Sequence, residues 1–305
     1  MKRWAVLATL TLAGCALYGV ISDPSAFFAG IVDTLVVWLY KVYPAIFTFF
    51  MLASLLINTR VIDRIIYYLN PVLKNLRFPN EESLHIFILS IFTGNPASAV
   101  IIGEAVNKNK ISINDGNELL KYASFLNPLF IISFWMPHNI KYALILVFVH
   151  IAGNFLIAIF ENRGNPKTKA LKKPITFSLN ELFNSLNKII GILLMIASVM
   201  TAANIIYYSL NNILSLLNQS STATHIILAN IEISVGLNNV ASLNLPKNAT
   251  LLIFAFLTGF AGLSIHMQVY NVTNEYNLRY AVFFKYRLLQ GAVSTLLLAP
   301  FIALS

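Results

Sequence analysis

Two blocks of this chain nearly repeat, and they carry opposite charge decoration. MLASLL at 51–56 is followed by IIYYLNPVL at 65–73, and MIASVM at 195–200 by IIYYSLNNIL at 205–214. The offset is 144 residues at the first block and 140 at the second. The first IIYY is flanked by Arg60, Arg64, Lys74 and Arg77, whereas 204–221, around the second, holds no charged side chain. Basic residues stay on the cytoplasmic side of a membrane because moving them across is costly. One copy is therefore expected to end inside the cell and the other outside. In secondary transporters, inverted-topology repeats of this kind build one central site from two oppositely oriented halves.

The chain is 57% hydrophobic and 11% charged, with a mean hydropathy of +0.72. So much apolar surface in 305 residues requires several segments to face lipid. The formal charge of +9 is spread over span ends and short loops, notably Arg163, Lys167, Lys169, Lys172 and Lys173. These read as topology determinants and contacts for anionic lipid. They form no single patch of the kind that binds nucleic acid. The one cysteine, Cys15, excludes an intrachain disulfide and any multi-cysteine metal site. LAGC at 12–15, behind Met1-Lys2-Arg3, has the form of a lipoprotein box. The apolar run continues past it to Ile21, so an uncleaved first span leaving a cytoplasmic N-terminus is the preferred reading, in a bacterial inner membrane.

The expected fold is all-α and polytopic, with about seven crossings at 5–21, 43–57, 118–136, 140–160, 186–203, 250–270 and 282–304. The chain divides into an N-terminal span and turn (1–26), a first repeat (27–160), a basic cytoplasmic linker (161–185) and a second, inverted repeat (186–305). The run from 27 to 57 would be about 46 Å long as one helix, and Pro44 is expected to divide it into an interfacial piece and a span. Residues 61–76 read as a basic amphipathic helix at the inner surface, and 205–217 as its uncharged interfacial counterpart. Arg279, Lys285 and Arg287 read as an inner cluster at the turn before the last span.

Two segments, 84–106 and 222–243, are apolar on both sides of polar or helix-breaking residues and read as re-entrant or broken elements. Non-helical backbone at that depth is tolerated only where protein or a wet cavity satisfies it. The first breaker lies 28 residues beyond its IIYY and the second about 27 beyond its own, so the two are expected to meet near the midplane. Thr93-Gly94 also echoes Thr258-Gly259 at an offset of 165, but only the register near 140 keeps the elements in order.

Three places carry polar groups inside apolar segments. The first is Gly94-Asn95-Pro96-Ala97-Ser98 with Asn127-Pro128: either a half-helix N-terminus for substrate, or a kinked packing site of small residues. The second is Glu232 with Gly236, Asn238 and Asn239. A carboxylate inside a hydrophobic segment marks a functional site by default and suits ion coupling; the alternative is a hairpin anchor. The third is Gly259 to Gln268, where Gly259 and Gly262 permit close packing while Ser264, His266 and Gln268 add hydrogen-bonding groups. His85, His138, His150 and His225 are scattered and read as interfacial or hydrogen-bonded. No HExxH, GxSxG, Walker or dinucleotide motif is present, so neither an enzyme nor a cofactor or metal is expected.

TGNPASA, FLNPLFI, IEISVG and GFAGLSIHMQV, in that order after the aromatic opening VVWLYKVYPAIFTFF, resemble the sporulation integral membrane protein family. That family is related to the stage V sporulation dipicolinate transport protein and to the nucleoside-recognition or gate group. The chain departs from the family pattern in having Asn95 in place of Tyr, and Ser98 and Ala261 in place of Gly. The resemblance implies a transporter of a small organic solute, either a dipicolinate-like anion or a nucleoside-like compound. The expected mechanism is alternating access, with Glu232 and His266 as ion-coupling groups. The expected partners are solute, membrane lipid and a second copy of the chain. The rival from another class is a non-transporting membrane factor that holds partners during envelope or spore morphogenesis.

Overall fold

The computed structural model describes residues 2–73, 76–135, 139–162 and 178–303, and among these every regular element is helical. The basic linker residues Arg163 to Lys173, together with Lys74, Pro137 and His138, lie outside the described residues. In chain order the helices are α1 (Lys2–Ser22), α2 (Pro24–Val37), α3 (Tyr43–Asn58), α4 (Val61–Leu73), α5 (Glu81–Thr93), α6 (Ala97–Asn107), α7 (Ile113–Tyr122), α8 (Pro128–Trp135) and α9 (Ile140–Glu161). After the linker come α10 (Leu179–Leu216), α11 (Thr222–Leu228), α12 (Ile233–Ser242), α13 (Lys247–Phe260), α14 (Gly262–Glu275) and α15 (Tyr280–Ala303). Among the described residues, five helical stretches are long and apolar enough to cross a membrane: Pro24–Ile57, Ile140–Glu161, Leu182–Leu216, Lys247–Glu275 and Tyr280–Ala303.

Two expected interruptions are absent. Pro44 does not divide its helix: α2 runs into α3 through a π-turn at Trp38–Val42. There the amide of Tyr43 reaches back to the carbonyl of Trp38. The widened turn absorbs the missing amide and the ring bulk of proline. The stretch 205–217 is likewise no separate interfacial helix but the second half of α10, which is 38 residues long. The four-residue difference between the two repeat offsets explains this. The first copy carries extra residues around Asn58-Thr59-Arg60, where Thr59 Oγ1 donates to the carbonyl of Leu55 and Arg60 adopts a φ of +56°, ending α3. The second copy passes through Thr201-Ala202-Ala203-Asn204, which contains no breaker, and stays helical.

Two spans read as continuous are instead broken. The segment 118–136 is divided at 123–127 between α7 and α8, and 250–270 at Ala261 between α13 and α14. With these breaks the element order repeats: a long helix, a hairpin of two short helices, a broken helix, then a full-length helix. α5–α6, α7–α8 and α9 in the first half answer to α11–α12, α13–α14 and α15 in the second.

The halves run in opposite directions. The open ends of the α5–α6 hairpin share one end of the bundle with the start of α10, since Glu82 pairs with Lys110 at 3.0 Å and Glu104 with Lys188 at 2.7 Å. The exit of the α11–α12 hairpin lies at the other end, where Leu243 and Leu245 share a cleft with Tyr142 and Lys247. Helices α9 and α15 pack antiparallel, with Phe148 against Phe301 at 6.0 Å and Asn154 bonded to Arg287 at 2.9 Å. Helix α10 lies against α1, α2 and α3, while α7, α9, α13 and α15 form a second packed group. The hairpins α5–α6 and α11–α12, with α8 and α14, belong to this second group, and their four breaks face the long helices.

Candidate functional site

The breaks converge on one small cavity of about 20 Å³, room for about one water. Asn95 from the first hairpin tip lines it, with Leu126, Asn127 and Phe130 from the α7–α8 break. Glu232, Ile233 and Ser234 enter from the second hairpin tip, and Ser264, Ile265 and Gln268 from α14. Val42 and Ile46 on one long helix and Ile196 and Met200 on the other close it with an apolar wall. Asn95, Asn127, Glu232, Ser234, Ser264 and Gln268 are all buried. The expectation that the two breakers approach each other holds in the structure. The apolar wall went unread, because an aliphatic residue on a long helix does not announce which face it presents.

Each tip is held by the broken helix of its own half. The amide of Asn95 donates to the carbonyl of Phe125 at 2.8 Å, and Asn127 Nδ2 to that of Phe92 at 3.0 Å. In the second half the amides of Leu263 and Ser264 donate to the carbonyls of Asn230 and Ile231 at 2.6 and 3.0 Å. Buried backbone that has left a helix must find such partners, and the remaining groups find them too. Asn127 Oδ1 accepts from the amides of Leu129 and Phe130, capping α8. His150 Nε2 accepts from the amide of Leu126 at 2.8 Å. Glu232 caps α12, accepting from the amide of Val235 at 2.7 Å and from Ser264 Oγ at 3.3 Å. Two cavity atoms are left over: Asn95 Nδ2 and Gln268 Oε1 are buried without a hydrogen-bond partner.

The other residues singled out from the sequence support this frame. Gly94 has φ +65° and ψ 178°, a conformation essentially restricted to glycine. A Cβ there would lie 2.7 Å from the amide nitrogen of Asn127. Pro96 precedes α6, and Ser98 Oγ donates to Asn95 Oδ1 at 2.7 Å, which fixes the amide. Pro128 opens α8. A Cβ on Gly236 would lie 2.3 Å from the carbonyl oxygen of Ala229, so the arms of the second hairpin touch there. Gly262 turns at φ +65°, after Ala261 at φ +78°, a position that would suit the glycine of the family pattern.

Three residues sit elsewhere. Gly259 packs on Gly291 of α15. His266 lies outside the cavity lining, within 2.9 Å of Tyr280 Oη and 3.0 Å of the carbonyl of Phe260. Arg287 is no surface topology determinant: it is fully buried and donates to the carbonyls of Ser124 and Lys121 and to Asn154 Oδ1.

A larger vestibule of about 520 Å³ opens beside the first hairpin. Arg60, Lys108, Lys110 and Lys188 line it, with Glu82 and Glu104, and it reaches Thr93 and Ala97, which bracket the tip that carries Asn95. Lys188 Nζ holds both oxygens of Glu104 at 2.7 and 2.8 Å. Burial opposes ionisation of Glu104, but the hydrogen bonds from Lys188 and Lys108 outweigh it and hold the carboxyl below its ordinary value.

Residues 39–166, from the π-turn through α9 to the start of the linker, match the Gate family, described as nucleoside recognition. The chain is also 26% identical to the sporulation integral membrane protein YlbJ of Bacillus subtilis, an alignment covering 93% of this chain and 80% of that protein. No solved structure matches. The chain is thus similar to a sporulation membrane protein, and the match together with the apolar helices supports a multi-pass integral membrane protein.

Proposed function

We propose that this chain, a sporulation-type membrane protein with a nucleoside-recognition segment, carries a small polar organic solute through the central cavity by alternating access. The observation that carries the reading is the pair of unpartnered buried atoms, Asn95 Nδ2 and Gln268 Oε1, a donor and an acceptor lining one cavity. A buried polar group left unpaired costs about 1–3 kcal/mol, and a solute with a complementary edge recovers that cost. No lysine or arginine lines the cavity, so a neutral nucleoside-like solute fits it better than a dicarboxylate such as dipicolinate. At about 20 Å³ the site is closed around itself, with the vestibule as its approach from one side.

The basic residues around that vestibule favour a cytoplasmic vestibule, on the same side as the N-terminus. Single cysteines at Lys108 and Gln219, in a Cys15→Ser background, should react with a membrane-impermeant reagent from opposite sides. Reaction of both from one side would sink the inverted arrangement.

The name of the Bacillus relative speaks of sporulation and not of transport, which favours a second reading, a non-transporting factor in spore or envelope morphogenesis. Purified protein in liposomes separates the two. Saturable uptake of radiolabelled nucleosides is expected, falling at least about tenfold when Asn95→Ala and Gln268→Ala are combined, since two buried hydrogen bonds to solute are then lost. A protein that moves neither nucleosides nor dipicolinate would leave the morphogenetic reading standing.

A further inference from the structure

Asp63 at the start of α4 and Glu81 and His85 on the first turns of α5 meet at one place, although the sequence separates them by up to 22 positions. One ligand atom from each of the three lies within 4.8 Å of those of the other two. Glu81 and His85 stand four residues apart on one helix, so they share a face. Asp63 and His85 both line the vestibule. His85 Nε2 lies 2.9 Å from Asp63 Oδ1 and 3.9 Å from Glu81 Oε1. Yet this buried nitrogen has no aligned hydrogen bond. A simple imidazolium–carboxylate pair would aim its proton along that short approach. A nitrogen lone pair that shares a centre with two carboxylate oxygens need not.

We infer that Asp63, Glu81 and His85 form a binding site for a divalent transition-metal ion in the vestibule wall. One imidazole and two carboxylates are a ligand set for zinc and its first-row neighbours. Tetrahedral zinc with bonds of 2.0–2.2 Å sets its ligands about 3.3 Å apart, so a small contraction closes the site. Three protein ligands leave at least one position for water or for a solute group in the vestibule. The ion would also tie α4 to the first hairpin. The histidine was read from the sequence as an isolated one because its partners come from a different helix and from one turn earlier. The site is separate from the central cavity and stands or falls independently of the transport reading.

The full chain, purified in detergent without an affinity tag and stripped of metal, is titrated with zinc by calorimetry. One saturable site is expected, weakened at least about tenfold by His85→Gln and by Asp63→Asn. Glu82→Gln, which alters a vestibule carboxylate paired with Lys110 at 3.0 Å, should leave it unchanged. X-ray absorption of the zinc-loaded wild type should show one imidazole nitrogen among oxygen donors, a readout that survives if a variant fails to fold. Absence of saturable binding in the wild type, equal affinity in folded His85→Gln and Asp63→Asn, or a metal shell without imidazole would each overturn the site.

Discussion

Replacing Arg287 by methionine is expected to lower the thermal unfolding midpoint of the purified protein by about 10 °C or to prevent its accumulation in the membrane. Arg287 is fully buried and supplies what α7 lacks at its C-terminal end. The last carbonyls of a helix have no intrahelical donor and carry partial negative charge. Arg287 donates to the carbonyl of Lys121, to that of Ser124 just beyond the helix, and to Asn154 Oδ1 on α9. Methionine fills the volume but strands three acceptors, each costing about 1–3 kcal/mol, against a total stability of about 5–15 kcal/mol. Arg287→Lys, keeping the charge and part of the hydrogen bonding, should fall between the two. A methionine variant melting within about 2 °C of wild type would remove Arg287 from this role.

Glu232→Gln should abolish pH-driven accumulation of solute in proteoliposomes while leaving solute exchange across the membrane. The glutamine oxygen can still accept from the amide of Val235 and keep the cap on α12, but the side chain cannot gain and lose a proton. Glu232→Ala, which also removes the cap at a cost of about 1 kcal/mol, should impair exchange as well. Accumulation surviving intact in the glutamine variant would return Glu232 to the role of hairpin anchor. His266 is held by Tyr280 and the carbonyl of Phe260, outside the cavity. Its replacement is therefore expected to act on the α13–α14 break and not on coupling.

Much of this architecture was legible in residue order. Gly94-Asn95-Pro96 and Glu232 interrupt apolar runs, and a buried interruption needs partners, so their convergence followed from the spacing of two breakers from two IIYY blocks. The α7–α8 break was harder to see. Asn127-Pro128 marks its downstream edge, but Ala123 to Leu126 look like any apolar span. Their exit from helix depends on Asn95, His150 and Arg287, which arrive from distant positions. Arg287 was misplaced for the same reason, since nothing near it in sequence tells a buried cation from one at the membrane surface. Pro44 misled in the opposite direction, because a π-turn accommodates a proline without ending the helix.

The two packing groups cut across the two repeats. Each repeat gives its long helix, α2–α3 or α10, to one group and its hairpin, broken helix and final helix to the other. The polar side chains of the cavity come from the second group, and the first contributes Val42, Ile46, Ile196 and Met200. The polar contacts between the groups each involve a side chain, as in Lys41 with Asn238, Tyr207 with Asn239, Lys188 with Glu104, and Asn127 Nδ2 donating to the carbonyl of Ala45. The backbone bonds that shape both tips lie within the second group. Under the transport reading proposed above, that group would travel along the greasy flank of the long helices as one cargo-holding block, exchanging side-chain latches as it moves. A solute so carried would meet the same coordinating atoms on both sides of the membrane, and only the stationary rail beside it would change.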